Sequence, residues 1–364
     1  MPVAGIRRQP LHGERMAAPI TDAEWLAWMA KLFYGWAEPP RESLLISPDS
    51  YCCLLDEQPT HLVPQRLLRH ALGALGSSQV IFNPRCHLSI CQDGVAVFSG
   101  SPDALPAPDI GSPSTAWVED PTTRAWSPFW LSSALTSTIV GLRRDPAQIL
   151  SLDTATRRTL QLAQILIAES ATSDRPQLWS QTADRARSQF ATRGYVPIGH
   201  LIHPFSIGAL RRYFRRQIRK GKVRLGDDQS SRRYAAHNDP VARFFHFQLT
   251  KAVSDLAGET VKPSYVYMAS YQSGAHLEKH TDREQCEYSI TLCLDFTPEP
   301  EGTTTWPLRL DTKDGTVTVY QALGDGLLYR GRELTHYRGT LAEGHTSTSI
   351  FFHYVSQHFR GTLA

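Results

Sequence analysis

The sequence is short of several features, and each shortage removes a class of protein. No run of about eighteen apolar residues occurs, so no membrane-spanning helix is expected. Met1 to Arg15 carries no apolar stretch of the secretory type, so export is not expected either. The six cysteines are scattered, with Cys52 and Cys53 adjacent and no Cys-x-x-Cys, which argues against a disulfide framework or a zinc knuckle and fits a reducing cytoplasm. Charge of one sign is not in excess: 38 basic and 35 acidic residues leave +3, too little for a global field that would gather nucleic acid. Internal repeats are absent, as is a helical His-Glu-x-x-His. At 364 residues the chain is long enough for two domains and a substantial core.

What is present is His280-Thr281-Asp282, followed at a distance by His336 in Thr335-His336-Tyr337-Arg338. Two histidines and one carboxylate, gathered beside strands, form the facial set that holds non-haem Fe(II) and leaves positions open for oxygen chemistry. The same three residues could hold zinc for hydrolysis. His276-Leu277-Glu278 is a competing pair four residues upstream.

The surroundings read as strands. Ser264 to Tyr271 puts Tyr265, Tyr267 and Tyr271 on one face by period-two alternation, and Gly274 then allows a turn. Tyr288 to Leu294 is a second run. Pro307 to Leu310 and Thr316 to Tyr320 form a hairpin through Lys313-Asp314-Gly315. Leu327 to Tyr329, the segment around His336, and Ser347 to Val355 complete the set. Short antiparallel strands in this succession indicate an α+β protein with a C-terminal double-stranded β-helix, a cupin-like jelly-roll barrel with flanking helices.

Tyr271-x-x-Gly274-x-x-Leu277-x-x-His280-x-Asp282, then Gly324 to Tyr329 leading to His336, and a terminal Ile350-Phe351-Phe352-His353-Tyr354, resembles the 2-oxoglutarate/Fe(II)-dependent dioxygenase superfamily in its prolyl-4-hydroxylase-like branch. The likeness covers about the last hundred residues closely and the last 180 loosely. It implies His280, Asp282 and His336 as iron ligands, and 2-oxoglutarate and O₂ as co-substrates, with ascorbate as an accompanying reductant. Tyr271 would bind the distal carboxylate of 2-oxoglutarate. The expected outcome is hydroxylation of an unactivated C–H bond with succinate and carbon dioxide as co-products. Because Asp282 is a carboxylate, the place a halide takes in related halogenases is filled.

One departure stands out. The branch carries a Lys or Arg about ten residues past the distal histidine, and here that position is Thr346. A dianion buried without a cation is costly. Arg338 is the expected replacement, because on a strand it shares the face of His336 and its planar fork suits a carboxylate. His345, Arg283 and Lys262 are weaker substitutes, and Thr346 and Thr348 would add hydroxyl donors.

The first half is less legible. Helices are expected from Thr21 through Phe33, from Gln65 to Leu75, from Leu131 to Leu142 and from Ala155 to Ser170. Strands are expected at Gln79 to Phe82 and Gly94 to Phe98, and a linker from Ser101 to Pro113. A boundary near Asp174-Arg175-Pro176 would separate an N-terminal α+β domain, 1–175, for substrate or partner recognition, from a catalytic domain, 176–364. The basic run Arg211 to Lys220 reads as the solvated face of a helix that buries Leu210, Phe214 and Ile218.

Two function classes follow. The first is a hydroxylase acting on a peptide or amino-acid side chain, as in peptide natural-product tailoring, or on a small metabolite by desaturation, epimerisation or cyclisation. The second is a barrel that binds or senses without turnover. Neither nucleic acid nor membrane is an expected partner, and the sequence does not specify an oligomeric state.

Overall fold

Period-two alternation along the C-terminal half dictates sheets with one face turned to a shared interior. The computed structural model describes residues 54–57, 60–73, 79–92, 95–99, 114–119, 123, 125–169, 175–227 and 229–363. Expectations on Thr21 to Phe33, on Cys52-Cys53 and on the 101–113 linker fall outside them.

In the first half, β1 (Val80–Phe82) pairs with β6 (Leu166–Ala168). β2 (Cys86–Gln92), β3 (Val95–Ser99), β4 (Thr115–Glu119) and β5 (Trp126–Trp130) form an antiparallel sheet in the order β3-β2-β4-β5. Helices run over Gln65–Gly73, Ser133–Arg144 and Thr154–Leu162. The helix expected from Ala155 to Ser170 is therefore half helix and half strand. Gln164, in the left-handed region at φ 59°, breaks it, and the apolar run that follows satisfies its backbone against β1.

The second half builds two facing antiparallel sheets. β7 (Tyr195–Ile198), β8 (Arg224–Leu225), β9 (Arg233–His237), β10 (Val261–Tyr271), β12 (Tyr288–Thr297), β15 (Gly326–Tyr329) and β17 (Thr346–Ser356) form a seven-stranded sheet ordered β7-β15-β12-β17-β10-β9-β8. β11 (Leu277–His280), β13 (Leu308–Thr312), β14 (Gly315–Val319) and β16 (Thr335–Arg338) form a four-stranded sheet ordered β11-β16-β13-β14. From β10 to β17 the chain steps back and forth between the two sheets, and the hairpin at Asp314-Gly315 lies where the turn signal placed it.

The large sheet buries both faces. Ile290, Leu292, Ile350, Phe352 and Tyr354 point outward, into a core shared with the helix Pro204–Arg219 and with first-half residues such as Leu67 and Phe129. Tyr271, Cys293 and Phe296 point inward to a smaller cluster around Trp306. The helix Pro204–Arg219 buries Leu210 and Phe214, as its spacing demands, but its basic run is not wholly solvated. Arg211 is buried and bonds Asp295 at 2.9 Å and Glu299 at 2.7 Å, while Arg215 joins the same Asp295 at 2.6 Å.

Candidate metal centre

Strand pairing brings the two histidines together. His280, at the end of β11, lies directly opposite His336 on β16, and their rings sit 4.3 Å apart. Asp282 follows two residues later, its backbone N–H donating to the carbonyl of Gly331 at 2.8 Å. The ligand atoms of all three residues lie within 4.8 Å of one another.

Backbone carbonyls set which ring nitrogen is free. His280 Nδ1 lies 2.8 Å from the carbonyl of Glu278, and His336 Nδ1 lies 2.9 Å from that of Leu334. A carbonyl only accepts, so each Nδ1 carries the proton and each Nε2 is left with a bare lone pair. Those lone pairs converge on Asp282 Oδ1, at 3.8 Å from His280 and 3.6 Å from His336. Burial, and then the neighbouring His336, hold His280 below the usual histidine range, so it stays neutral.

The other carboxylate oxygen is clamped. Ser289 Oγ donates to Asp282 Oδ2 at 3.0 Å and itself takes the Nδ1 proton of His353 at 2.9 Å. Ser289 and His353 face each other across β12 and β17. Burial pushes the Asp282 carboxyl up, but His336, His353 and Ser289 outweigh it and bring it down to about 2. Gly331 leaves the room for this clamp, since a Cβ there would meet Asp282 Oδ2 and Ser289 Oγ. Two imidazole lone pairs and one ionised oxygen, each oriented by a further hydrogen bond, fit a divalent metal. Asp282, Cys286 and His353 are also grouped, but burial and then Asp282 push the Cys286 thiol up to about 12, and His353 spends its Nδ1 on Ser289. The competing pair His276 and Glu278 bond each other at 2.8 Å on the exposed surface.

The triad opens on a cavity of about 480 Å³. No family model matches this chain, and no curated protein matches it. Its structural likenesses are 2-oxoglutarate- and iron-dependent oxygenases. The prolyl-4-hydroxylase of Pseudomonas putida is 20% identical and overlaps 47% of this chain and 98% of its own, at a TM-score of 0.38. The α-ketoglutarate-dependent epimerase SnoN of nogalamycin biosynthesis is 13% identical over 49% and 84%, at 0.41. HygX of Streptomyces hygroscopicus, solved with nickel, 2-oxoglutarate and hygromycin B, is 14% identical over 49% and 88%, at 0.40.

Tyr271 lines the cavity, as period two required, and its hydroxyl receives Arg233 Nη1 at 3.3 Å. Arg338 shares the inward face of His336 and is buried. It stands behind Tyr271 instead of lining the cavity: its guanidinium lies 4.9 Å over the Trp306 ring, whose other neighbour at 5.0 Å is the Tyr271 ring. Its Nη1 donates to the Trp306 carbonyl, and among the described residues no carboxylate pairs with it. Burial lowers its pKa, the mark of a cation short of a partner.

The two threonines fall elsewhere. Phe351 and His353 of β17 face the triad cavity, so by alternation Thr346 and Thr348 face the opposite side of the sheet. There they border a separate cleft of about 290 Å³ beside Arg211 and Arg215, and Thr348 donates to Ser270 Oγ at 2.9 Å. Of the substitutes, Lys262 is engaged with the carbonyl of Phe359 and His345 with that of Glu343, both outside the cavity, whereas Arg283 lines it. Sequence reasoning missed Arg233, Ser289, His353 and Gly331. The only signal for Arg233 is its place opposite Tyr271 in the β9–β10 pairing.

Proposed function

We propose that this chain is an Fe(II)- and 2-oxoglutarate-dependent oxygenase on a double-stranded β-helix, with residues 1–175 contributing recognition and 176–364 the chemistry. The observation that carries it is the convergence of two Nε2 lone pairs and Asp282 Oδ1 at the mouth of a cavity. When bound, iron and 2-oxoglutarate supply the oxidation of an unactivated C–H bond by O₂, with succinate and carbon dioxide as co-products.

The chain's own residues do the rest. His280, Asp282 and His336 would hold the metal through two Nε2 atoms and one carboxylate oxygen. Ser289 and His353 hold Asp282 Oδ2, so that Oδ1 is the oxygen left to bind it. Tyr271, which lines the cavity, offers its hydroxyl to the distal carboxylate, and Arg338, behind the Tyr271 and Trp306 rings, supplies positive charge to it at a distance. Thr346 and Thr348 have no part in this arrangement. Hydroxylation is the default outcome; epimerisation or ring closure needs only a different hydrogen set before the same residues.

The test is anaerobic titration with Fe(II) and 2-oxoglutarate, read by the visible charge-transfer band of the chelate. The band should form with the wild-type chain and vanish in His280→Ala. Iron uptake without a band would reject 2-oxoglutarate, and no uptake would reject the metal centre.

A further inference from the structure

Among the described residues, one cation that lines the cavity before the triad has no carboxylate partner. Arg233 is fully engaged, with Asp227 at 2.6 Å, Gln229 at 2.7 Å and the Tyr271 hydroxyl at 3.3 Å. Arg283, the residue after Asp282, is not. Its Nε donates to the Tyr265 hydroxyl at 3.2 Å, and its guanidinium lies 4.5 Å over the Tyr265 ring. Among the described residues it meets no carboxylate. The Nε bond, the ring beneath and a contact with the Cys286 thiol orient the guanidinium, which lines the cavity.

The rest of that wall is flat and aromatic. His237 stacks on Tyr265 at 5.8 Å with 26° between the planes, and Phe351 lies 6.1 Å from Tyr267. Burial, and then Arg283, keep His237 below the usual histidine range, so it adds no charge of its own. A divalent metal and Arg338 together balance Asp282 and a dianionic co-substrate. Arg283 then remains for the molecule that is oxidised.

We propose that the substrate is an organic anion, its carboxylate or phosphate gripped by Arg283 and its flat or apolar body laid against Tyr265, Tyr267 and Phe351. This rests on the oxygenase reading of the triad. A guanidinium that rests on a ring and, among the described residues, meets only a tyrosine hydroxyl and a thiol keeps N–H donors and an unbalanced charge for such a group. Arg283 and the triad line the same cavity, so a substrate held by the one lies in the space before the other.

The experiment uses the full chain, loaded with Zn(II) and saturated with 2-oxoglutarate so that the probe cannot take the co-substrate's place. Phenylacetate, phenyl phosphate and the neutral 2-phenylethanol are titrated by calorimetry. At least one anion should bind ten times more tightly than the alcohol, and whichever does so names carboxylate or phosphate. Arg283→Gln should erase that preference, while Arg283→Lys keeps part of it. With Mn(II) in place of Zn(II), relaxation of the bound probe's ring protons should quicken. Equal binding of all three probes, binding of none, or an unchanged preference in Arg283→Gln would overturn the proposal. Mn(II) uptake, followed by its spin resonance in wild type and His280→Ala, reports separately on the metal centre. If that fails, the anion preference is still read on the metal-free chain.

Discussion

Replacing Ser289 with alanine removes one oxygen and tests the clamp on Asp282. Ser289 Oγ is the donor to Asp282 Oδ2 at 3.0 Å and the acceptor from His353 Nδ1 at 2.9 Å, so a single change frees both. A hydrogen bond to an ionised group contributes about 1.5–3 kcal/mol. At about 1.4 kcal/mol per factor of ten, that is a loss of roughly ten- to a hundredfold in affinity for Co(II) or Mn(II). The carboxylate then rotates freely and takes up a proton more readily, so the loss should widen as the pH falls. The assay is a competitive Co(II) titration at two pH values, with Ser264→Ala as control, since that buried hydroxyl on β10 has no partner among the described residues. An affinity within twofold of wild type, or an equal loss in the control, would refute the idea that Ser289 orients the ligand.

Four further outcomes are expected. Arg338→Met should keep the fold and the metal but weaken 2-oxoglutarate binding by about 2 kcal/mol, the attraction of two unit charges roughly 8 Å apart at an effective dielectric of about 20; unchanged formation of the charge-transfer band would discard that assignment. Asp295→Ala should lower stability by about 1.5–3 kcal/mol in chemical denaturation, since buried Arg211 loses one of its two carboxylate partners and keeps Glu299; a midpoint shift corresponding to under about 1 kcal/mol would contradict it. Gly331→Ala should abolish metal binding while leaving the outer core intact, as its Cβ would meet Asp282 Oδ2, the Cys286 carbonyl and Ser289 Oγ; retained metal affinity would show that the clamp can shift. Burial lowers His203, His246 and His353 to about 4, 3 and 4. The unfolded chain takes up these protons near pH 6.5 and the folded chain does not, so this stability is complete above about 6.5 and drains away as the pH falls toward 4. Denaturation midpoints measured from pH 7 to 4 should fall, less steeply in His246→Gln; identical slopes would remove His246 from the account.

The triad was legible because its chemistry is local: a pair two residues apart at a strand end, and a third ligand after a Gly-Asp-Gly turn. Parity made Tyr271 and Arg338 legible too, since alternation places 271 with 265 and 267, and 338 with 336. The same rule, applied from the inward-facing His353, excludes Thr346 and Thr348; counting from His336 failed because a loop between two strands does not preserve parity. Arg233 lies 38 residues from Tyr271, and only the register of β9 on β10 joins them. Ser289 and His353 look like ordinary strand residues until β12 and β17 are paired. Leu166 to Ala168 is too short for its apolar pattern to separate helix from strand, and only its partner β1 decides. The buried role of Arg211 depends on Asp295, which comes from a different element altogether.

His336 and Arg338 share a strand four residues long, held between β11 on one side and β13 on the other. In that arrangement the proposed metal ligand and the buried cation are not two independently adjustable parts. A small slide of this strand along its neighbours would carry both in the same direction, and a two-residue slip would put the arginine where the imidazole belongs. Leu310, opposite His336 in the pairing, thereby acts as a stop for both at once. Variation that retunes the grip on one partner must pass through the same short rail as the other, so the two affinities are mechanically tied and should drift together among variants of β13.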